Sequence, residues 1–169
     1  MHIFLTGDIQ VGKTTIIRKF IEQSGLSADG FITYWEGNAD GSRSLYLSSY
    51  SADVHSVKRY LVARDAGSMR AQRDNITRIF DARGCDILSN AGKRDVIIMD
   101  ELGFLESGSL AFREAVMERI SGDVPVLGVI KPAHSEFLDG VRAHPSVIVR
   151  EVSAETRDAE PAWLLAQQW

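Results

Sequence analysis

A glycine-bearing loop near the start of the chain restricts its possible folds more than any other feature of the sequence. Residues 7–14 read Gly-Asp-Ile-Gln-Val-Gly-Lys-Thr and match the pattern G-x-x-x-x-G-K-[ST]. An apolar run over residues 2–6 is typical of a buried strand, and apolar residues then recur at helical spacing until Gly25. A strand, this loop and a helix in that order predict a phosphate-binding loop.

The chemistry of phosphate recognition explains why this spacing matters. Glycines permit backbone conformations that turn successive N–H groups inward, and the helix that follows adds unpaired N–H groups and the positive end of its dipole. Lys13 is expected to reach the β- and γ-phosphates, and the Thr14 hydroxyl is expected to hold Mg²⁺. The predicted nucleotide-binding residues of the loop are Gly7, Asp8, Ile9, Gln10, Val11, Gly12, Lys13, Thr14 and Thr15.

An acidic pair ends another buried strand pattern. The apolar run at 96–99 is followed directly by Asp100 and Glu101. Because parallel sheets bind ligands at the carboxyl ends of their strands, this pair is expected to lie near the loop. Asp100 is then expected to hold Mg²⁺, usually through water, and Glu101 to orient and deprotonate a water that attacks the γ-phosphate. The plainer alternative is an acidic pair that only ends a strand.

Strand patterns alternate with helix patterns along the chain. Strands are predicted at residues 2–6, 30–35, 96–99, 124–130 and 147–152. Helices are predicted after the loop, at 75–90, around the apolar stripe from Phe112 to Ile120, at 135–143 and at 161–168. This alternation predicts an α/β fold whose mostly parallel sheet is flanked by helices on both faces.

The stretch between the first helix and the acidic pair departs from this alternation. A turn at residues 38–41 separates two strand patterns and predicts an antiparallel hairpin. Residues 51–74 carry the weakest pattern, with a further strand predicted at 57–63. We therefore expect a single domain over residues 1–169, with a hairpin excursion at about 29–74.

Composition excludes several classes of protein. Of the 169 residues, 44% are hydrophobic and 25% are charged, which is typical of a folded globular protein. The net charge of −4 does not favour non-specific binding to nucleic acid. Cys85 is the one cysteine, and the four histidines lack the spacing of a zinc site. With no apolar run near the roughly 20 residues of a membrane span and no signal peptide, we expect a cytoplasmic protein without a nucleic-acid or membrane partner.

Arginine and aromatic residues offer weaker candidates. Arg157 follows the last predicted strand and is expected either to contact nucleotide, as a hypothetical arginine finger in cis, or to lie on the surface. Five more arginines crowd residues 64–83 and could form a lid over a triphosphate or a clamp for an acceptor, although interleaved aspartates favour a solvated, charge-balanced face. Tyr34 and Trp35 either stack on a base or belong to the core.

Over most of its length the chain resembles the small P-loop nucleoside-triphosphatases that occur in thermophilic prokaryotes and as a cancer-related human enzyme. The segments that carry the resemblance are Phe4–Gly7, Val11–Thr15, Asp29–Phe31 with Thr33, Asp100–Gly103 with Glu106 and Phe112, Val126–Gly128, and Val152 through Thr156–Asp158. The Asp-Glu-Leu-Gly run and the late Arg-Asp pair are more particular to this family than the phosphate loop is.

The resemblance implies slow, Mg²⁺-dependent hydrolysis of ATP, GTP, CTP and UTP to the diphosphate and phosphate, with little discrimination between bases. It implies a RecA-like parallel sheet with an antiparallel edge. Carried over by position, Lys13 and Thr14 bind phosphate and Mg²⁺, Asp100 lies on the metal side, and Glu101 is the base.

Three positions depart from the family pattern. Ile9-Gln10 stands where the family often has Pro-Gly, Phe104 stands where it commonly has a basic residue, and Thr156 replaces an asparagine. Two other functions fit the same residues: a nucleotide or small-molecule kinase with the arginine-rich region as acceptor lid, and a nucleotide-dependent switch that acts with a protein partner, whose identity the sequence does not indicate.

Overall fold

The computed structural model describes residues 1–51, 57–66, 68–103 and 105–169. In these residues seven strands form one sheet, and six α-helices pack around it. The strands are β1 (His2–Thr6), β2 (Ala28–Gly37), β3 (Arg43–Ser51), β4 (Arg59–Arg64), β5 (Val96–Leu102), β6 (Val126–Ile130) and β7 (Val147–Glu151). The helices are α1 (Lys13–Ser24), α2 (Arg73–Ile79), α3 (Cys85–Ala91), α4 (Leu110–Ile120), α5 (Glu136–Ala143) and α6 (Glu160–Leu165).

The sheet is mostly parallel and has an antiparallel edge, as the sequence predicts. Its strand order is β4-β3-β2-β5-β6-β1-β7. The pairs from β2 through β5, β6 and β1 to β7 are parallel, whereas β2–β3 and β3–β4 are antiparallel. The strand before the phosphate loop, β1, and the strand that carries the acidic pair, β5, are therefore separated by β6 alone.

Both faces of the parallel part are covered, which explains its continuous apolar runs. Ile3 and Leu5 of β1 pack in one cluster with Phe20 of α1, whereas Phe4 packs in a second cluster with Phe112 of α4. Successive side chains of a strand point to opposite faces, so a strand covered on both faces must be apolar at every position. Helices α1 and α6 contribute to the first cluster, and α2 to α5 contribute to the second.

The hairpin follows its predicted turn. Strands β2 and β3 pair antiparallel, with Trp35 opposite Leu45, and β4 covers most of the strand predicted at 57–63. Residues 52–56 of the weakly patterned stretch lie outside the described residues, as does Phe104, one of the positions that depart from the family pattern.

The helix predicted at 75–90 is interrupted. A π-helical turn, Phe80–Gly84, joins α2 to α3. The ring of Phe112 packs so closely on this turn that a Cβ atom at position 84 would lie 2.6 Å from it. The ring centroids of Phe80 and Phe112 are 5.0 Å apart. The sequence marks Gly84 as a weak point of the helix, and the aromatic packing explains why glycine stands there.

Among the described helices, none combines the length and the apolar character that a membrane crossing requires.

His2 links β1 to β6 through its buried imidazole. Only 1% of the residue is exposed, and its Nδ1 accepts a hydrogen bond from the Val126 N–H at 3.1 Å. Burial, reinforced by the nearby amino terminus and His144, lowers the pKa of His2 from 6.5 to about 4. The unfolded chain therefore binds a proton at a higher pH than the folded chain does, and folding stability from this group falls as the pH drops from about 6.5 towards 4.

We expect His2→Asn to reduce this acid sensitivity, because the asparagine amide oxygen can accept the Val126 N–H without titrating. Between pH 7 and pH 5 the free energy of unfolding of this variant should fall by about 1–2 kcal/mol less than that of the unmodified chain. Urea unfolding at both pH values measures the difference. His134→Asn, which removes an exposed imidazole, is the control and should not reduce the acid sensitivity; equal losses in all three proteins would contradict the role of His2.

Candidate active site

The loop between β1 and α1 is held in place by the neighbouring strand end. The Val152 N–H donates to the Thr6 carbonyl at 2.9 Å, so the chain after β7 passes close to the start of the loop. At Gly7 the φ angle is +129°, and a Cβ atom there would lie 2.2 Å from the Val152 carbonyl oxygen. Both the backbone angle and the space therefore require glycine at position 7.

The loop presents the start of helix α1 to solvent. Gly12 caps the helix without a side-chain hydrogen bond, and no acidic residue stands in the first turn. The first N–H groups of the helix therefore have no side-chain acceptor from the capping residue, which leaves them available to an anion. Ile9, at the tip of the loop, is 89% exposed. Val11 differs from its neighbours because its side chain is buried with Ile16 and Ile17 of α1.

Lys13 lies across the loop that precedes it. Its Nζ donates hydrogen bonds to the carbonyl oxygens of Gly7 at 2.9 Å and Asp8 at 2.7 Å. Burial lowers the pKa of the Lys13 ammonium, while the charge of Glu101 is the largest influence that opposes this shift. The cation is thus held at the mouth of the loop, close to the acidic pair at the end of β5.

Asp100 is a buried carboxylate that borders the loop. It is 4% exposed, and burial raises its pKa from 3.8 to about 6. A hydrogen bond with the Thr14 hydroxyl and the charges of Arg18 and Lys13 partly offset this rise, whereas Glu101 adds to it. The carboxylate is therefore poorly compensated by its described neighbours, and a divalent cation beside it would stabilise its charged form.

The donor atoms at this point suit Mg²⁺. Asp100 and Thr14 offer carboxylate and hydroxyl oxygens, which are the ligands that this hard cation prefers. In the part of the chain that the structure describes, no group of three or more His, Cys, Asp or Glu side chains could hold a metal ion. A cation bound here would take its other ligands from water and phosphate, which is how Mg²⁺ is usually held.

A β-bulge turns Glu101 out of the regular ladder. Along the β5–β6 pair, Asp100 lies opposite Val129 and Leu102 lies opposite Ile130, so Glu101 is the extra residue. Bulges re-aim side chains and are frequent beside active sites. The carboxylate of Glu101 is 30% exposed, and its Oε1 lies 3.3 Å from the Lys131 Nζ. The peptide bond between Asp100 and Glu101 is cis.

These residues share one cleft of about 840 Å³. Its volume lies within the range of small-molecule sites. From the predicted set the cleft is lined by Gly7, Asp8, Ile9, Gln10, Gly12, Lys13, Thr14, Thr15, Asp100 and Glu101. Two predicted nucleotide-binding residues are not in the lining: the side chain of Val11 belongs to the core, and Arg157 lies in the loop between β7 and α6, half-exposed with its Nε 4.0 Å from Asp158. A nucleotide contact by Arg157 stays a prediction.

The cleft also contains residues beyond the predicted nucleotide-binding, metal-binding and catalytic set. Lys131, Pro132 and Ala133 follow β6, and Trp35 and Arg43 come from the hairpin. Lys131 could have been found, because it directly follows a buried parallel strand and such strand ends meet at the ligand-binding edge. Arg43 could not, because its place depends on the register of the hairpin, and for Trp35 the sequence leaves base stacking and core packing open.

Arg43 is anchored beside the cleft. Its Nε lies 2.8 Å from the Asp65 Oδ2, its backbone N–H donates to the same carboxylate, and its guanidinium lies 5.2 Å from the centroid of the Trp35 ring. Of the two aromatic candidates, Trp35 lines the cleft, and Tyr34 instead faces Arg59. The arginines crowded at residues 64–83 are Arg64, Arg70, Arg73, Arg78 and Arg83, and none of them lines the cleft.

Comparison with known proteins fits this geometry. The sequence model of the family described as NTPase matches residues 2–165, which is nearly the whole chain. The chain belongs to the NTPase family. A nucleoside-triphosphatase THEP1 of Methanopyrus kandleri is 29% identical to it, over 93% of this chain and 89% of that protein. A cancer-related nucleoside-triphosphatase homolog of Mus musculus is 31% identical, over 94% of this chain and 91% of that protein.

A solved structure supports the fold of this NTPase-family chain. The crystal structure of THEP1 from the hyperthermophile Aquifex aeolicus superposes with a TM-score of 0.75 at 24% identity, covering 99% of this chain and all of that one. The resemblance of the sequence to the small P-loop nucleoside-triphosphatases is thereby confirmed for family and fold.

The packing around Gly7 predicts that adding a side chain at this position destabilises the protein. Gly7→Ala should lower the free energy of unfolding by more than about 3 kcal/mol, because the new methyl group meets a backbone carbonyl and the φ angle is strained. Gly140→Ala, in helix α5 with no atom within 4 Å of the added Cβ, is the matched control and should change stability by less than about 1 kcal/mol. Denaturant unfolding of both variants measures the difference, and a Gly7→Ala protein of normal stability would contradict the packing argument.

Proposed function

We propose that this member of the NTPase family hydrolyses nucleoside 5′-triphosphates to the diphosphate and phosphate, with Mg²⁺ as cofactor and Glu101 as the base that positions water. The observation that carries the proposal is the convergence, in one cleft, of the loop, Lys13, the buried Asp100 and the re-aimed Glu101. The names of the relatives, which are nucleoside-triphosphatases, support the same reaction.

Binding begins with the triphosphate in the loop. The N–H groups of the loop and of the first turn of α1 donate to phosphate oxygens, and the helix dipole favours their negative charge. The Lys13 Nζ, which donates to two loop carbonyls at 2.7 and 2.9 Å, turns its hydrogen bonds to the β- and γ-phosphates. These donors are fixed by the fold, so they stabilise the charge that develops during hydrolysis with little rearrangement.

Asp100 and Thr14 would hold Mg²⁺ beside the phosphates. When bound, the cation would supply positive charge that neutralises the charge developing on the phosphate groups during hydrolysis. Asp100 sits at a rigid strand end and is nearly excluded from solvent, so its orientation is set by packing rather than by contact with water.

Glu101 acts on the attacking water. Its carboxylate accepts a hydrogen bond from the water and takes its proton as the water oxygen bonds to the γ-phosphorus. The bond from the γ-phosphorus to the bridging oxygen breaks at the same time, the diphosphate leaves, and the proton passes to the released phosphate. Kinases need water to be kept from the γ-phosphate, so a carboxylate poised at this point favours hydrolysis over transfer to an acceptor.

The lining of the cleft supports a proposal of broad base specificity and a low rate. The exposed Ile9 and the pair Pro132–Ala133 offer apolar surface that contacts any base similarly. Of the described arginines only Arg43 lines the cleft, and it is held by Asp65. Because an arginine that contacts the transferred phosphoryl group is worth 10³–10⁵-fold in rate, we propose slow intrinsic turnover.

Glu101→Gln should lower the turnover number at least about 100-fold for ATP, GTP, CTP and UTP, because the amide cannot accept the proton of the water. Nucleotide affinity should not fall below that of the unmodified chain. Phosphate release with Mg²⁺ and equilibrium binding measure the two quantities, and Glu114→Gln on the exposed surface of α4 is the matched control. Unchanged release in Glu101→Gln would contradict the base assignment. Binding without release in the unmodified chain would contradict hydrolysis and favour an acceptor or a partner.

Asp100→Asn should raise the Mg²⁺ concentration that gives half-maximal turnover at least about tenfold, because a neutral amide is a weaker ligand of this cation than a carboxylate. Chelation of the metal should abolish turnover in every variant, and added Mg²⁺ should restore it. Mg²⁺ titration of phosphate release is the measurement, with Asp123→Asn as an exposed control. The same Mg²⁺ dependence in Asp100→Asn and the control would remove Asp100 from the metal site.

A further inference from the structure

A second, smaller cavity adjoins Glu101 on the side away from the phosphate loop. Its volume is about 40 Å³, which is enough for one or two water molecules. Thr33, Glu101 and Lys131 supply its polar lining, and Trp35, Leu45 and Leu105 supply its apolar walls. A cavity of this size beside a proposed base is suited to a water and too small for an acceptor substrate.

Three residues separate this small cavity from the nucleotide cleft. Glu101, Lys131 and Trp35 line both spaces, and they are the only described residues that do. A water that moves directly from the small cavity to a γ-phosphate in the cleft would therefore pass these side chains. Trp35 is apolar over most of its surface, so Glu101 and Lys131 are the charged groups among the described residues that line both spaces.

Lys131 pairs with Glu101 across this opening. The Lys131 Nζ lies 3.3 Å from the Glu101 Oε1, and the lysine side chain is 45% exposed. An exposed pair of this kind is weak, and the lysine is a compact charge on a flexible stem, so the contact exchanges easily for a stronger anion. Lys131 is also near enough to Lys13 for the two positive charges to repel each other. Two cations that converge on one cleft are suited to a polyphosphate.

We infer that Lys131 is a positioning residue for the γ-phosphate, and that it leaves Glu101 for this phosphate when a triphosphate binds. This inference rests on the proposed function, since it assigns a use to the release of Glu101. A carboxylate paired with a lysine is a poor acceptor for a water proton. Once the Lys131 ammonium bonds to the γ-phosphate, the Glu101 carboxylate is available to the water in the small cavity.

This exchange makes the base respond to the nucleotide. A diphosphate places no γ-phosphate near Lys131, so the lysine stays on Glu101. A triphosphate draws the lysine away and frees the base at the moment when the phosphorus to be attacked is in place. The position of Lys131 at the end of β6, directly between β1 and β5, allows it to reach both groups.

The test compares binding of ADP with binding of the β,γ-imido analogue of ATP, both with Mg²⁺, by titration calorimetry. Lys131→Met should weaken binding of the analogue by about 10- to 100-fold, as expected for the loss of a hydrogen bond between charged groups. The same variant should change the affinity for ADP by less than about twofold. Lys131→Arg should keep most of the preference for the analogue. Lys93→Met, on an exposed turn after α3, is the control and should bind both nucleotides normally.

Glu101→Gln provides the second arm of the test. Lys131 no longer has an anionic partner to leave in this variant, so the analogue should bind a few-fold more tightly while ADP affinity is unchanged. In the double variant with Lys131→Met this gain should disappear, because the two effects are coupled. Both arms measure binding and are read whether or not turnover occurs.

The outcomes separate this inference from the proposed function. The inference would be overturned if Lys131→Met weakened the binding of ADP and of the analogue equally. It would also be overturned if the tighter analogue binding of Glu101→Gln persisted in the double variant. Either result would count against the inference even if Glu101→Gln abolishes turnover. The inference would be supported if Lys131→Met lost the preference for the analogue over ADP and if the tighter analogue binding of Glu101→Gln disappeared in the double variant. This support would hold even if turnover in the unmodified chain were slower than expected. In a supporting case we also expect the turnover number of Lys131→Met to fall at least about tenfold.

Discussion

Parallel pairing of β1, β6 and β5 is the constraint on which the rest of the site depends. Leu5 and Asp100 both lie opposite Val129 of the central strand, so all three strands reach the same edge within one or two residues. Residues that are far apart in sequence thereby become neighbours: the phosphate loop follows β1, Lys131 follows β6, and the acidic pair ends β5. A shift of one residue in either pairing would turn Asp100, Glu101 or Lys131 to the face opposite to the one it now occupies and dismantle the cleft.

The electrostatics of the cleft follow from this juxtaposition. Two lysines and two carboxylates meet at one edge, and each lysine has a replaceable partner: Lys13 bonds to loop carbonyls and Lys131 pairs with Glu101. Burial makes the charged form of Asp100 costly, and the repulsion between the lysines adds to the burial cost of Lys13. A triphosphate with a divalent cation reduces both electrostatic costs, because it brings negative charge to the lysines and positive charge to the carboxylate.

Local patterns predict what depends on local chemistry. The phosphate loop, the buried strands and the acidic pair could be found from the sequence because glycine geometry, apolar runs and strand ends act over a few residues. Arg43 could not, because it reaches the cleft through hairpin pairing and through its contact with Asp65, a residue beyond β4. For Trp35 the sequence leaves base stacking and core packing open, and the hairpin pairing brings it to the cleft. The side chain of Val11 is buried in the core, so the contact that the loop motif predicts for this residue would involve its backbone. The pairing of Lys131 with Glu101 needs the three-dimensional register of β5 and β6.

The two adjacent carboxylates are given different surroundings by the strand that carries them. Ile98 packs in the cluster with α1, and Met99 packs in the cluster on the other face, so alternation directs Asp100 towards α1 and Thr14. Glu101 lines the small cavity with Leu45 and Leu105, whose packing belongs to the opposite face. The sheet edge thus separates the proposed metal side from the proposed water side by a single peptide unit. The bulge at Glu101 returns the strand to its core packing at Leu102, so this division of roles does not disturb the packing that holds β5 against β6.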